Sequence, residues 1–305
     1  MKRLLSCHAS DFRSMNKQEL LYAIAASEGR TIACETIGVI QPMLGDITNA
    51  EFVCAMGADI LMLNMFDVEN PVIRALPQCA SENTIRKLKE LTGRPVGINL
   101  EPVCGDPEGD AGMWKMTGGR KATLENARRA ADMGVDMIVL TGNPGMGVQN
   151  AAIADTLRLY KHELGDRLIL CAGKMHASGV LKEGAQAILT REDISAFAEA
   201  GADIILLPAP GTVPGMTQEL VGSLIAHAHS LGCLTLTAIG TSQEGADPDT
   251  IRRIALMAKM AGTDIHHLGD TGYGGMALPE NIMAYSIAVR GIRHTYHRMA
   301  DSINR

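Results

Sequence analysis

The chain has 305 residues, 46% of them apolar, which is enough to bury a deep core as one large domain or two small ones. A formal net charge of −6, with no basic stripe carrying interleaved aromatics, excludes a nucleic-acid surface, and an aromatic content of 3% excludes a base-stacking platform or an aromatic-lined sugar groove. No run reaches the roughly 18 to 20 apolar residues of a membrane helix, and the start MKRLLSCHASDFRS turns polar too early for a secretory signal, so a cytoplasmic chain with no membrane partner is expected.

The first predicted element is a helix in NKQELLYAIAASEG, with Asn16 as its cap, Glu19 three positions on and Gly29 at its exit. It belongs to an amino-terminal helical segment, residues 1–30, that plugs or flanks the amino end of the main domain. A strand TIACETI (31–37) comes next, then a helix opened by Thr48 with Glu51. The phrase AMGADILML (55–63) closes that helix and opens a second strand. This phrase recurs as DMGVDMIVL (132–140), EAGADIILL (199–207) and MAGTDIHHL (260–268). In each copy a glycine (Gly57, Gly134, Gly201, Gly262) succeeds a helical pattern, where it ends the helix in the left-handed conformation, and an apolar run begins within two residues. The copies lie about two βα units apart, and the gaps hold the strands RPVGINL (94–100), RLILCAG (167–173) and CLTLTAI (233–239). Thr190 with Asp193, and Asp247 before Pro248, open further helices, and Pro279 opens a last one that runs to about Asn304. The seven cysteines are odd in number, scattered and without CxxC spacing, so neither a disulfide framework nor a zinc site is expected; Cys34, Cys171 and Cys233 read as small core residues.

Eight apolar strands alternating with amphipathic helices require a parallel sheet covered on its outer face. The expected fold is therefore α/β, a single-domain (β/α)8 TIM barrel over residues 31–305 with an extra amino-terminal helix; an open doubly wound sheet is the alternative. The connections from helix to strand are minimal, whereas those from strand to helix are long and rich in Gly, Pro and polar residues. That asymmetry places function at the carboxyl ends of the strands. The loop 102–122, carrying Trp114, Lys115, Arg120 and Lys121, reads either as a lid or as a subunit-contact loop, and the long last helix either as a further subunit contact or as a cover for the sheet; a homo-oligomer is expected.

Strand alternation selects inward polar residues: Glu35, Asn64, Asn99, Glu101, Thr141, Lys174 and His176 close to those ends, with His267 and, on the matching face of the seventh strand, Thr237 farther from them, and His266 turned to the helices. Two carboxylates, a lysine and histidines converging there suit a divalent cation, Mg2+ or Mn2+, or proton exchange with a substrate. Glu35 and Glu101, joined by Asp270, are the expected metal ligands. Lys174, His176, Glu101 and His267 are the expected catalytic groups. Lys174 is also placed for Schiff-base chemistry, with a salt bridge to Glu101 as the competing reading. The loops IGTSQEGAD and GDTGYGGMALPEN after the seventh and eighth strands are rich in glycine, so Gly240, Thr241, Ser242, Gly272, Gly274 and Gly275 are expected to offer amides to phosphate or carboxylate, with Arg120, Asn64 and Asn99 completing a small anionic substrate site.

The run Asp270-Thr271-Gly272-Tyr273-Gly274-Gly275 resembles the DTGYG signature of the phosphoenolpyruvate mutase and isocitrate lyase superfamily. It differs in having Leu268 where that signature has a first aspartate, and in its position after the eighth strand. The whole chain resembles barrel proteins that carry a phosphonomutase-like label. The resemblance implies a Mg-dependent barrel acting on 2-oxo acids or related anions, with Asp270 as a ligand. The functional expectation is a lyase or isomerase working through an enolate of a small phosphorylated or carboxylated substrate. A metal-free aldolase using Lys174, or a non-catalytic ligand-binding barrel, are the alternatives.

Overall fold

A computed structural model describes residues 2–103, 116–142, 148–176, 184 and 187–305. Trp114 and Lys115 of the expected lid lie outside the described residues. Eight strands, β1 (Thr31–Ile37), β2 (Ile60–Asn64), β3 (Val96–Leu100), β4 (Met137–Leu140), β5 (Ile169–Gly173), β6 (Ile204–Pro208), β7 (Leu234–Ile239) and β8 (Ile265–Leu268), close in chain order into one parallel barrel. Two short helices, α1 (Ala9–Ser14) and α2 (Lys17–Ala25), precede it. Around it run α3 (Asn49–Ala55), α4 (Thr84–Thr92), α5 (Leu124–Met133), α6 (Asn150–Leu164), α7 (Arg191–Ala200), α8 (Gln218–Ser230), α9 (Pro248–Ala261) and α10 (Pro279–Ala300). Among the described residues no helix is long and apolar enough to cross a membrane.

Side-chain alternation divides the apolar residues into two layers. Ala33, Ile60, Met62, Met137, Val139, Ile169, Cys171, Ile204, Leu206, Leu236, Ala238 and Ile265 fill the barrel, and Leu4, Cys7, Phe12, Leu20, Ala23 and Ile24 join this cluster from the amino-terminal segment. The outward residues, such as Leu61, Leu63, Ile98, Leu140, Leu170 and Leu207, pack under the helices. Thr237 belongs to the outward set, contrary to the sequence expectation: it pairs in register with His266, and its hydroxyl meets that of Thr263 at 3.0 Å.

The fourfold phrase has a second meaning beyond its glycines, whose φ values lie between 96° and 109°. Its aspartate, one residue before or at the opening of each even strand, clamps the preceding odd strand. Asp59, Asp136 and Asp203 each donate a backbone N–H at 2.8 Å to the carbonyl of Ile32, Val96 and Leu170 respectively. The side-chain Oδ2 of the same aspartate accepts the N–H of that same residue, again at 2.8 Å. Asp264 repeats the pattern on β7, accepting the N–H of Thr235 at 2.8 Å, with the Thr235 hydroxyl standing in for the carbonyl. Every one of these carboxylates also has a basic partner: Arg290 and Arg298 for Asp59, Lys89 for Asp136, Lys17 for Asp203 and His229 for Asp264.

The Asp59 clamp ties in the chain's two ends. Arg298 donates to the carbonyls of Leu4 at 2.7 Å and Cys7 at 3.0 Å while its Nε holds Asp59 Oδ1 at 2.7 Å. Two arginines of α10 reach one buried carboxylate because the helix breaks between them, at Gly291, with φ 74° and ψ 168°. The last helix is thus kinked and ends at Ala300, where the sequence pattern implied one continuous element to about Asn304. Asp59→Asn takes the shared carboxylate from two buried guanidinium groups, of which Arg298 keeps Asp301 at 3.4 Å, and should cost about 3–5 kcal/mol of unfolding free energy. Urea titration of both chains measures it, and a loss under about 1 kcal/mol would contradict the clamp's importance.

Candidate functional site

At the opposite end the polar residues behave differently. Glu35 near the end of β1, Asn64 closing β2, Asn99 on β3 and Asp270 just after β8 are buried or nearly so and form one chain of contacts. Asn99 Nδ2 donates to Glu35 Oε1 at 2.9 Å and to Asn64 Oδ1 at 3.2 Å, and Asn64 Nδ2 donates to Asp270 Oδ2 at 2.7 Å. Two acids are therefore bridged by neutral amides. Burial pushes the Glu35 carboxyl well above the ordinary range, the charge of Asp270 adds to this, and the Asn99 hydrogen bond opposes it. Asp270 is also raised, chiefly by burial. The donors that bridge the pair carry no charge to compensate the ionised forms.

Backbone conformation marks the same region. Met65, Thr241, Ser242 and Thr271 have φ between 56° and 65°, although none is glycine. Each sits at or near Asn64, Gly240 or Asp270, at the ends of β2, β7 and β8. Such residues each cost about 1–3 kcal/mol and persist where the surroundings over-determine them, commonly at functional sites.

On the barrel axis below the acids lies a cavity of about 10 Å³, room for one water molecule, lined by Glu35, Asn99, Thr141, Met175 and His267 among others. His267 is inward, as its register implies, and 4% exposed. Its Nδ1 has no hydrogen-bond partner among the described residues, and burial pushes its pKa down to about 4. His266 faces outward, between the Tyr285 hydroxyl at 2.9 Å and the Gly29 carbonyl at 2.9 Å.

The remaining expected residues divide. Glu101 is buried, but its carboxylate is held by Arg120 at 2.6 Å rather than by Lys174, and the charges acting on Glu35 come from Asp270 and Glu244. The acid pair is accordingly Glu35 with Asp270, and Arg120 is engaged as a counter-ion. Lys174 is buried directly after β5, next to Met175 of the axial cavity, and His176 is half-buried with its pKa lowered by burial.

The glycine-rich loops also depart from expectation. The Gly272 N–H goes to Asp270 Oδ1 at 2.8 Å and the Thr271 N–H to Glu244 Oε1 at 2.9 Å, while Gly274 and Gly275 donate to the carbonyls of Thr271 and Gly272. The three amides of this loop expected to bind an anion are thus already satisfied, that of Gly272 by an acid that would repel phosphate, as would the acid on the neighbouring Thr271 amide. Gly274 is there for space, since an added Cβ would lie 2.2 Å from Thr271 Oγ1. Among the described residues the amides of Thr241 and Ser242 have no acceptor, which leaves the loop after β7 as the one with donors to offer. Glu244 itself was not singled out from the sequence. It lies on a loop, where strand periodicity says nothing.

The fold and this end of it define a (β/α)8 barrel with an acid-lined site at the carboxyl ends of its strands. The chain belongs to the family of a domain of unknown function, DUF7916, whose profile matches residues 5–305. No curated protein matches it. Solved structures to which it is similar include a thiamine phosphate pyrophosphorylase from Pyrococcus furiosus, at 12% identity over 87% of this chain and 97% of that one, with a TM-score of 0.49. They also include 2,3-dimethylmalate lyase, a PEP mutase/isocitrate lyase superfamily member, at 15% identity in two crystal forms, over 83% of this chain and 78% or 80% of that one, with TM-scores of 0.48 and 0.49.

Neutral His267 yields a pH test. An unfolded imidazole, near 6.5, takes a proton that the folded one refuses until about pH 4, so the unfolded state binds more protons in that window and His267 withdraws stability as pH falls through it. The raised carboxyls act with the opposite sign, their contribution declining as pH rises above about 4.5, so a site-resolved readout is needed. In a proton NMR titration His267 should stay neutral to below pH 5; a midpoint above 6 would show that the imidazole is not buried as described.

Proposed function

We propose that this chain is a lyase or isomerase that acts through an enolate of a small carboxylated substrate and uses a divalent cation, Mg2+ or Mn2+, held by Glu35 and Asp270. The observation that carries this reading is the pair of buried acids bridged, among the described residues, by the amides of Asn99 and Asn64, since two carboxylates kept together in a low-dielectric site call for a cation or a shared proton. The donor set fits such an ion. Hard carboxylate and amide oxygens suit Mg2+, which binds through one or two carboxylates and retains several waters; among the described residues no group of three acid, His or Cys side chains is spaced as a closed metal cage. A bound cation would polarise a substrate carbonyl and lower the cost of negative charge beside it.

The chain's own residues would do the rest. Asn64 and Asn99 orient the two acids through their side-chain amides. The imidazole of His176, held neutral by burial, takes a proton from the carbon next to the substrate carbonyl and returns it to the substrate. Lys174, buried beside it, supplies positive charge toward a substrate carboxylate. The amides of Thr241 and Ser242 offer further donors to that anion, which favours a carboxylated over a phosphorylated substrate given how the β8 loop spends its own amides.

Millimolar Mg2+ or Mn2+ should raise the unfolding temperature by a few degrees, because an ion at 100 times its Kd adds about 2.7 kcal/mol. Glu35→Gln should abolish the increment while raising the stability of the cation-free protein at alkaline pH, where burial penalises the ionised carboxylate. Equal melting in chelator and in Mn2+ for the unmodified chain would refute the cation reading.

A further inference from the structure

The strongest unexplained group outside the acid pair is Glu244. It sits on a short turn, Gln243–Gly245, after β7 and is 3% exposed. One oxygen, Oε1, accepts the N–H of Thr271 at 2.9 Å. The other, Oε2, is buried and has no partner among the described residues. On the near side, a Cβ added at Gly269 would lie 3.3 Å from Glu244 Cδ and 2.8 Å from the Ile239 carbonyl, so the carboxylate packs against that glycine. Glu244 therefore touches the residues on both sides of Asp270. The turn is anchored from behind by Asn281 of α10, which is fully buried and donates its Nδ2 to the carbonyls of Glu244 at 2.9 Å and Ala246 at 2.7 Å.

A buried carboxylate oxygen without a donor loses its hydration and regains nothing, so its retention points to a donor that arrives with a ligand. Building on the cation reading of Glu35 and Asp270, we infer that Glu244 is the outer-sphere residue of that site: Oε1 fixes the backbone that presents Asp270, and Oε2 accepts a hydrogen bond from water carried by the cation. Mg2+ keeps several waters when bound by few carboxylates, and groups that hold such waters or orient the ligands commonly change affinity by about 10–100-fold. Inner coordination by Glu244 is disfavoured, since no three acid, His or Cys side chains among the described residues have that spacing. Glu244 is a positioning residue for the site.

The test is Mn2+ binding to the full chain, read from the free-ion signal in electron paramagnetic resonance, for the unmodified protein, Glu244→Gln and Glu35→Gln. Glutamine keeps an oxygen for Thr271 but places an amide donor where the water hydrogens would come. Glu244→Gln should bind Mn2+ about tenfold more weakly, Glu35→Gln hardly at all, and the urea midpoint of Glu244→Gln in chelator should equal or exceed that of the unmodified chain. Full Mn2+ affinity in Glu244→Gln, or a stability loss in chelator that accounts for its weaker binding, would overturn the inference and leave the acid pair standing. No Mn2+ binding by the unmodified chain would overturn both.

Discussion

A carboxylate clamp at the opening of each even strand sets the register of this barrel. A parallel strand pair has evenly spaced, slanted hydrogen bonds and no turn to set its register. In this barrel Asp59, Asp136, Asp203 and Asp264 supply what the turn would: backbone and side chain of one residue grip both polar groups, or a polar group and a hydroxyl, of a single residue on the neighbouring strand. A one-residue slip would break both contacts and turn every inward side chain outward. The glycine two residues earlier ends the helix, and the aspartate then fixes the strand.

The two ends of the barrel treat buried acid in opposite ways. At the amino end all four clamp carboxylates have cationic or ionisable basic partners, and the arginines on Asp59 hold its carboxyl below the ordinary range against the effect of burial. At the carboxyl end Glu35, Asp270 and Glu244 meet amide N–H groups from Asn99, Asn64, Gly272 and Thr271, and all three carboxyls are raised by burial. Glu101, a short way off, has Arg120 and shows that the chain can provide a guanidinium at this end too. Buried acids whose described hydrogen-bond donors are neutral amides, flanked by left-handed non-glycine residues, are a cost to folding that a bound cation would offset.

Much of the architecture was legible because it is periodic. The repeated glycines, the caps at Asn16, Thr48, Thr190 and Asp247, and the alternation that sent His267 inward and His266 outward are local or strictly periodic signals, and all appear in the structure. Thr237 was misplaced because β7 carries threonines at its outward positions, between inward Leu236 and Ala238, so polarity and position disagreed there. The pairing of Glu101 with Arg120, nineteen residues on, depends on how a long loop returns, which no spacing rule encodes. The amides of the β8 loop looked available because glycine exposes backbone; what takes up Thr271 and Gly272 is a pair of carboxylates, one from another loop. The clamp aspartates were in plain view in the repeat, yet only the geometry of adjacent strands reveals what they hold.

The carboxyl-end acids Glu35 and Asp270 are proposed to hold a divalent cation. The most direct measurement is an anomalous difference map from crystals soaked in Mn2+. A peak is expected about 2.0–2.2 Å from one oxygen each of Glu35 and Asp270, with water density between it and Glu244. A clean map at those residues, or a peak bound elsewhere with the Glu35–Asn99–Asn64–Asp270 chain unchanged, would contradict it.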